Sequence, residues 1–167
     1  YLATIVSAYS NALDEIIKLF NKGLSLEEVK EKYNYEKYLE EILKVKTRQL
    51  TTFYFNDKNN NDTQDYEGTQ YNPHYEFGAI IEKYLFDENK VFVRIKNKLV
   101  VGDEMELIVH GHDPIKLKIE KLYDEETKEE ISEVNPGVKD KAVYITFDKP
   151  LKNLKEFMSG YILRRKI

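Results

Sequence analysis

Two histidines and an aspartate stand close together in one short segment of this 167-residue chain. The segment is HGHDP, with His110, His112 and Asp113, and imidazole and carboxylate groups are ligands that zinc and other transition metals accept. The histidines are two positions apart in a turn that contains Gly and Pro, and the sequence places no third ligand beside them. We expect an exposed hairpin and no metal here, with His110 and His112 as the only candidates for metal ligands.

Other groups that could do chemistry are not arranged in a catalytic motif. The sequence has no Gly-x-Ser-x-Gly elbow, no His-Glu-x-x-His pair and no phosphate-cradling glycine loop. The acidic run YDEETKEE at 123–130 is typical of a solvated turn. The chain has no cysteine, which excludes a disulfide, a thiol nucleophile and a cysteine-ligated zinc or iron–sulfur site within it. We predict no catalytic residue and no cofactor in this chain.

Basic residues suggest a different activity, which is contact with RNA phosphates. Arg94, Lys96 and Lys98 alternate along one segment, and Arg164, Arg165 and Lys166 end another beside Tyr161. The formal net charge of the whole chain is −4, which argues against a strongly basic nucleic-acid binder. Ordinary solvated side chains on an outer sheet face are the alternative.

The first 44 residues predict three short helices. In residues 1–22, apolar residues recur at three- and four-residue steps, and Gly23 then allows the helix to end. Ser25 and Glu28 form a capping-box pattern before a second helix, and a third runs from about Tyr35 to Lys44. Such narrow stripes make a thin core, so we prefer an extension that packs on a domain absent from this sequence; a self-contained helical subdomain is the alternative. The apolar stripe of the first helix is Leu2, Ile5, Val6, Tyr9, Leu13, Ile16 and Phe20.

The rest of the chain predicts a linker and a small barrel. Gln49–Phe55 is rich in strand-forming residues, and residues 56–73 are too polar to bury a core. From Tyr75 the hydrophobic period is two, with turns at the Gly, Pro, Asn and Asp clusters. In "VVGDE" we expect Gly102 and Asp103 to make a turn between strands, not a site. The predicted fold is α+β: short helices at 1–55, then an antiparallel β-barrel at 74–167 that leaves no free sheet edges. The predicted strands are Phe77–Leu85, Lys90–Lys96, Glu104–Val109, Ile115–Tyr123, Ala142–Phe147 and Tyr161–Arg165.

Several quoted segments resemble one family, the collagenase-like peptidases of family U-32. The C-terminal half is similar to its C-terminal domain through YEFGAIIEKY, NKLVVGDEMEL, IEKLYDEETKEEI and PLKNL…YILRRK. YLATIVSAYSNALDEI resembles the helix that follows the family's catalytic barrel, and KVKTRQLTTFYF resembles a Ser-His-Arg-x-Tyr-Thr-Thr-Gly-Phe-Tyr-Phe segment. Thr47 replaces the usual His and Leu50 the Tyr, whereas Arg48 and Thr51 are retained. Ser10 also replaces a frequent Arg, and the Gly before Phe53 is missing.

The resemblance implies a longer parent protein with an upstream (β/α) barrel, in agreement with a first residue, Tyr1, that is not Met. Members are named as peptidases, and some bacterial branches resemble prephenate-dependent RNA hydroxylation factors with an iron–sulfur cluster in that barrel. Either chemistry would then lie upstream. The small barrel resembles those of translation factors, which is an analogy of fold alone. The residues expected to contact substrate or RNA are Arg48, Thr51, Arg94, Lys96, Arg164 and Arg165.

Three functions remain open on the sequence. The preferred one is a non-catalytic accessory module that assists substrate binding or domain assembly for the upstream catalytic domain, with a peptide or RNA as substrate. The second is an RNA-binding module, and the third is a purely structural domain that stabilises the parent or a homodimer. No run of about 18 apolar residues suits a membrane span, so no membrane partner is expected and the predicted location is the cytoplasm.

Overall fold

The computed structural model describes residues 1–45, 75–109, 111–137, 141–151 and 159–167. Several sequence predictions lie outside these residues. They are the strand at 49–55, the linker at 56–73, the candidate contacts Arg48 and Thr51, and the candidate ligand His110.

Three helices come first, as predicted. They are α1 (Leu2–Asn21), α2 (Leu26–Lys32) and α3 (Tyr35–Leu43). The capping box at α2 is confirmed, because the Glu28 amide donates to the Ser25 hydroxyl and the Ser25 amide donates to the Glu28 carboxylate. Among the described helices, none combines the length and the apolar composition that crossing a membrane requires.

Six antiparallel strands then close into a barrel, which confirms the predicted fold class. The strands of the described chain are β1 (Tyr75–Leu85), β2 (Lys90–Ile95), β3 (Leu99–Val100), β4 (Glu104–Ile108), β5 (Ile115–Asp124), β6 (Glu130–Ile131), β7 (Glu133–Val134), β8 (Ala142–Phe147) and β9 (Ile162–Lys166). Each of the six barrel strands pairs with two neighbours, in the order β1, β2, β8, β5, β4, β9 and back to β1. Two-residue strands add a short pairing of β6 to β5 and a separate pair, β3 with β7.

The hydrophobic core fills the inside of this barrel because alternate residues of each strand face inward. Val91, Val93 and Ile95 of β2 are buried, whereas Phe92 and Arg94 between them are half-exposed. In β5 the pairing shifts register between Ile119 and Lys121, after which Leu122 takes the inward position. The side chains that are almost completely enclosed are Ile81, Val91, Val93, Ile95, Leu99, Met105, Leu107, Ile119, Leu122, Val143, Ile145 and Leu163.

Helix α1 packs with its small residues, not with its apolar stripe. Thr4 and Ala8 are its buried residues, and both lie on the side opposite the exposed part of the stripe, whereas Ile5 and Ile16 at the edge of the predicted stripe are half-buried. The small side chains on the buried side let the helix approach its neighbours closely. The large residues on the other side of the helix face outward. Leu2, Val6, Tyr9, Leu13, Ile17 and Phe20 are each between 43% and 71% exposed.

The "VVGDE" segment is a turn, as predicted. Gly102 has a φ of +96°, a left-handed conformation that a residue with a Cβ adopts only with strain. The Asp103 carboxylate accepts a 2.8 Å hydrogen bond from the Val100 amide, which closes the turn between β3 and β4.

Candidate functional site

The charged side chains buried in the described part of the chain lie on the outer face of the barrel, under the end of α3. Arg164 of β9 and Glu106 of β4 are each only 5% exposed. They are direct cross-strand partners, and the Arg164 Nε donates a 2.8 Å hydrogen bond to Glu106 Oε2. The Arg164 Nη2 donates to Glu106 and, at 2.5 Å, to Oε2 of Glu41 in α3. One guanidinium thus joins two strands of the barrel to a helix.

Lys44 and Tyr75 complete this group, which we call the Arg164 cluster together with Arg164, Glu106 and Glu41. Lys44, directly after α3, pairs with Glu41 and lies 3.4 Å from Glu106. The Tyr75 hydroxyl donates to Glu106 at 3.2 Å, and the Tyr75 ring faces both cations at about 5 Å from its centroid, a distance at which cation–π attraction is significant. Two cations and two carboxylates therefore balance in charge.

The electrostatics of the Arg164 cluster favour the charged forms of Glu106 and Lys44. Burial alone would raise the pKa of Glu106, but the charge and hydrogen bonds of Arg164, with smaller contributions from Lys44 and Tyr75, hold that pKa below its usual value. Burial would lower the pKa of Lys44, yet the hydrogen bond and charge of Glu41, followed by the charge of Glu106, raise it. A carboxylate that stays ionised near neutral pH is poorly suited to donate a proton, so the cluster is better suited to holding elements together than to acid catalysis.

One polar atom of the Arg164 cluster has no hydrogen-bond partner in the part of the chain that the structure describes. The Arg164 Nη1 is buried, and no acceptor among these residues reaches it. Arg164 also lines a cleft of about 310 Å³ between the start of α1, the end of α3 and the outer face of β1 and β9. We call this the Phe77 cleft; among its lining residues are Tyr1, Val45, Tyr75, Phe77, Ile162 and Arg164.

The described part of the HGHDP segment, residues 111–114, lies against the helices. The Asn11 side-chain amide of α1 donates a 2.8 Å hydrogen bond to the His112 carbonyl, and Lys37 of α3 forms a 2.7 Å ion pair with Asp113. His112 itself is exposed. Within the described residues, no three His, Asp or Glu side chains converge as a metal site would require. The turn is thus a contact between the helices and the barrel.

The predicted basic contacts are distributed over several ion pairs. Arg94 pairs with Glu82 through a 2.7 Å hydrogen bond from its Nε, and Arg165 pairs with Glu76 and, at 3.1 Å, with Asp103. Arg164 belongs to the buried cluster, and the Lys96 side chain is half-buried. Their contact with a substrate or RNA stays a prediction.

A different set of lysines surrounds a second cleft, of about 400 Å³, which we call the lysine cleft. Lys116 and Lys118 of β5 are exposed, and in the described chain neither ammonium group forms an ion pair. Lys166 lies 3.8 Å from Glu104 across the same surface. Sequence analysis did not single out this group, because Lys149 joins it from a distant part of the chain; the four lysines are Lys116, Lys118, Lys149 and Lys166.

Sequence analysis also missed Glu41, Lys44, Tyr75 and Glu106, although one signal for the strand pairing was present. Glu104 and Glu106 alternate on one strand, and Arg164 and Lys166 alternate on another. Opposite charges at matching alternate positions favour a cross-strand pair, which β4 and β9 form. No comparable pattern pointed to Glu41 on a helix.

Comparisons with known proteins relate the C-terminal part of this chain to one family. The model for the peptidase family U32 C-terminal domain matches residues 73–164. A solved C-terminal domain of a Geobacillus thermoleovorans U32 peptidase family protein, in a selenomethionine variant, is 22% identical and covers 55% of this chain and 99% of its own, with a TM-score of 0.43. A second structure of that domain is also 22% identical and covers 55% of this chain and 92% of its own, with a TM-score of 0.42. A search of curated proteins gave no match.

Proposed function

Because this chain belongs to the peptidase family U32 C-terminal domain family, we propose that it is a non-catalytic accessory module of a larger U32 parent protein. In this proposal the helices dock the module onto an upstream catalytic domain and place the barrel beside the substrate. The family description supports an upstream domain, since it names a C-terminal domain. The observation that carries the proposal is the outward apolar stripe of α1.

The outer stripe of α1 has the character of a docking surface. Its residues recur at steps of three and four, which places them on one side of the helix for its whole length. A continuous row of large exposed apolar residues is uncommon on a monomer and marks an interaction surface. The residues of the outer stripe are Leu2, Val6, Tyr9, Leu13, Ile17 and Phe20.

Polar contacts hold the helix that carries this stripe in one orientation relative to the barrel. Glu41 ties α3 to Arg164 of the barrel, and Asn11 ties α1 to the HGHDP turn. Tyr38 of α3 is buried and donates a hydrogen bond to Glu15 of α1, which connects the two helices. A domain that covers the outer stripe would therefore also set the position of the barrel.

Single cysteines test this docking, since the chain has none of its own. Leu13→Cys reports on the outer stripe, and Phe86→Cys is the control because Phe86 is an equally exposed apolar residue in a barrel turn. Labelling by a maleimide is mapped by mass spectrometry in the chain alone and in the full-length parent.

We expect Cys at position 13 to react rapidly in the chain alone and many times more slowly in the parent. Cys at position 86 should react at similar rates in both proteins. Equal rates at position 13 in both proteins would refute the docking. Slow labelling at position 13 in the chain alone, relieved by dilution, would instead favour a homodimer and the structural function.

The same proposal expects the isolated chain to turn over neither peptides nor RNA, because the catalytic domain lies elsewhere in the parent. Incubation of the purified chain with a casein digest and with total RNA, followed by mass spectrometry, checks this. Turnover that disappears in a His112→Ala variant would contradict the non-catalytic function.

The lysine cleft favours a second candidate, an RNA-binding accessory domain. The ammonium groups of Lys116 and Lys118, which form no ion pair with a described residue, lie beside Lys149 and Lys166 and offer contacts for neighbouring phosphates. Filter binding with a structured RNA, repeated over a range of salt concentrations, tests it. The K116E/K118E variant should weaken binding and flatten its salt dependence, whereas K30E/K32E on α2 should leave both unchanged. Equal effects of the two variants, or no binding at low salt, would exclude this candidate.

A further inference from the structure

Three aromatic side chains form a row on the outer face of the barrel. Phe92 of β2 and Tyr144 of β8 are direct cross-strand partners, and Tyr144 is in turn the partner of Tyr123 on β5. All three are half-exposed, and on each strand the preceding residue is buried, so the rings face outward. The centroids of the Phe92 and Tyr144 rings are 4.9 Å apart. We call these three residues the ring row, and they offer aromatic surface to a ligand outside the barrel.

Lysine ammonium groups lie over two of these rings. The Nζ of Lys90 is 4.6 Å from the centroid of the Tyr123 ring, and the Nζ of Lys128 is 4.3 Å from that of Tyr144. Lys128 belongs to the turn after β5, where its φ of +59° is a left-handed conformation that is uncommon for a residue with a long side chain. Such outliers are frequent at functional positions. The chain thus holds two cations at the surface of the ring row.

The charge differs between the two ends of the ring row. Lys83 of β1 is the cross-strand partner of Phe92, and Lys83 is exposed. At the other end, Glu130 is the partner of Tyr123 and follows the acidic turn at 125–129. An anionic ligand should therefore extend toward Lys83 and away from the acidic turn.

Nucleobases suit this surface better than a cationic peptide does. An arginine of a peptide would displace Lys90 or Lys128 from its ring and leave two like charges side by side. A base that stacks on the ring leaves the displaced ammonium group free to contact a neighbouring phosphate. Base stacking is stronger than a cation–π contact at an exposed site, so the exchange is favourable for a nucleic acid.

We propose that the ring row binds single-stranded nucleic acid, with bases stacked on the rings and with Lys90 and Lys128 on the phosphates. Cross-strand neighbours lie about 4.5–5.5 Å apart, whereas successive bases of a duplex lie about 3.4 Å apart, so bases on adjacent rings must be unstacked from each other. Single strands allow this. The proposal rests on the second candidate function, nucleic-acid binding, and adds a surface that the lysine cleft does not include.

Fluorescence anisotropy with short end-labelled oligonucleotides tests the proposal on the whole chain. Oligo(U) and oligo(dT) are the single-stranded probes, and the tighter of the two identifies RNA or DNA as the ligand. A duplex of the same length hides its bases, and an abasic oligomer keeps the phosphates without bases. We expect saturable binding of a single strand and binding about ten times weaker for the duplex and the abasic oligomer.

Variants separate stacking from charge. Tyr144→Leu removes the central aromatic face and should weaken single-strand binding about tenfold, whereas Tyr35→Leu, at an exposed tyrosine of α3, should not change it. Lys128→Asn suits the left-handed turn and should weaken binding severalfold and reduce the salt slope by about one. Because Lys128 is exposed, this variant also tests the proposal if Tyr144→Leu does not fold. Lys30→Asn on α2 is its control.

Several results would overturn the proposal. They are the absence of saturable binding of either single strand, equal affinities for the abasic oligomer and the single strands, and tighter binding of an arginine tetrapeptide. Binding that is lost in K116E/K118E but unchanged in Tyr144→Leu and Lys128→Asn would also refute it. That last result would leave RNA binding at the lysine cleft in place, so the two hypotheses fail separately.

Discussion

The guanidinium Nη2 of Arg164, in the last strand, donates a 2.5 Å hydrogen bond to Oε2 of Glu41, in the third helix, across 123 residues of sequence. The same side chain binds Glu106 on the neighbouring strand. Arg164 therefore contributes to the coupling of the helices to the barrel, and the stability of the chain should depend on it.

Replacement of Arg164 by Met should lower the free energy of unfolding by about 3 kcal/mol, because buried Glu106 loses its main partner and half-buried Glu41 loses one of its two partners. Urea denaturation followed by circular dichroism measures the change. Arg164→Lys keeps the charge but cannot reach both carboxylates in the same geometry, so its loss should be smaller.

Lys166→Met is the matched control for Arg164. Lys166 lies on the same strand, and its ion pair with Glu104 is 3.8 Å long and largely exposed. Such pairs contribute little, and the expected change is within about 0.5 kcal/mol. Similar losses for Arg164→Met and Lys166→Met would show that the buried cluster does not couple helix and barrel.

Acid should weaken the structure through Glu106. The pKa of Glu106 is lowered in the folded state. Its contribution to the free energy of unfolding is therefore present above pH 4.5, the ordinary pKa of glutamate, and is lost as the pH falls through the lowered pKa. Lys44 stabilises the fold in the opposite pH range, because its pKa is raised in the folded state. Its contribution to the free energy of unfolding is complete below pH 10.5, the ordinary pKa of lysine, and is lost as the pH rises through the raised pKa.

Unfolding free energies at about pH 6 and about pH 3 test the role of Glu106. Wild type should lose more stability between these values than Glu106→Gln, because the amide cannot take up the proton. Other carboxylates, such as Asp124 with its own lowered pKa, titrate equally in both proteins. Parallel pH profiles of the two proteins would mean that Glu106 is not the group responsible.

The Asp103 carboxylate should matter for stability, since it accepts from the Val100 amide and contacts Arg165. Asp103→Ala is expected to cost about 1–2 kcal/mol and to speed amide exchange at Val100. Glu104→Ala, at the exposed neighbouring position, should have little effect on either. An Asp103→Ala protein with wild-type stability would indicate that Gly102 alone sets the turn.

Helix α2 should depend on its cap, because only seven residues form it. Ser25→Ala removes the acceptor of the Glu28 amide and should cost about 1 kcal/mol of local stability. Faster hydrogen exchange at Glu28 is the readout. Ser10→Ala, inside α1, replaces a residue that forms no cap and should leave that exchange rate unchanged.

Sequence patterns were sufficient for the barrel and for the family. Period-two hydrophobic residues predicted the six barrel strands because one face of each strand lines a single core. The two-residue strands β3, β6 and β7 were missed, since two residues cannot show a period. The family suggested by the quoted segments is confirmed by the family model over residues 73–164.

The candidate sites were harder to predict because they depend on contacts between distant residues. Arg164 was predicted to contact substrate or RNA. The alternating charges of two strands were a signal for its pairing with Glu106, but nothing in the sequence indicated that Glu41 would also bind it. The apolar stripe of α1 was recognised, but periodicity cannot say which side of a helix meets the rest of its own chain. Here the side with Thr4 and Ala8 does.

The place of β9 in the ring also sets an order of events during synthesis. This strand is inserted between β4 and β1, so the ring has a gap until residues 162–166 have left the ribosome. Arg164 lies on the same strand, so the helices, although translated before the barrel, gain their hydrogen bond from this side chain only with these late residues. A nascent chain arrested before Ile162 should therefore be captured by chaperones, with its sheet open and its helices held by fewer contacts.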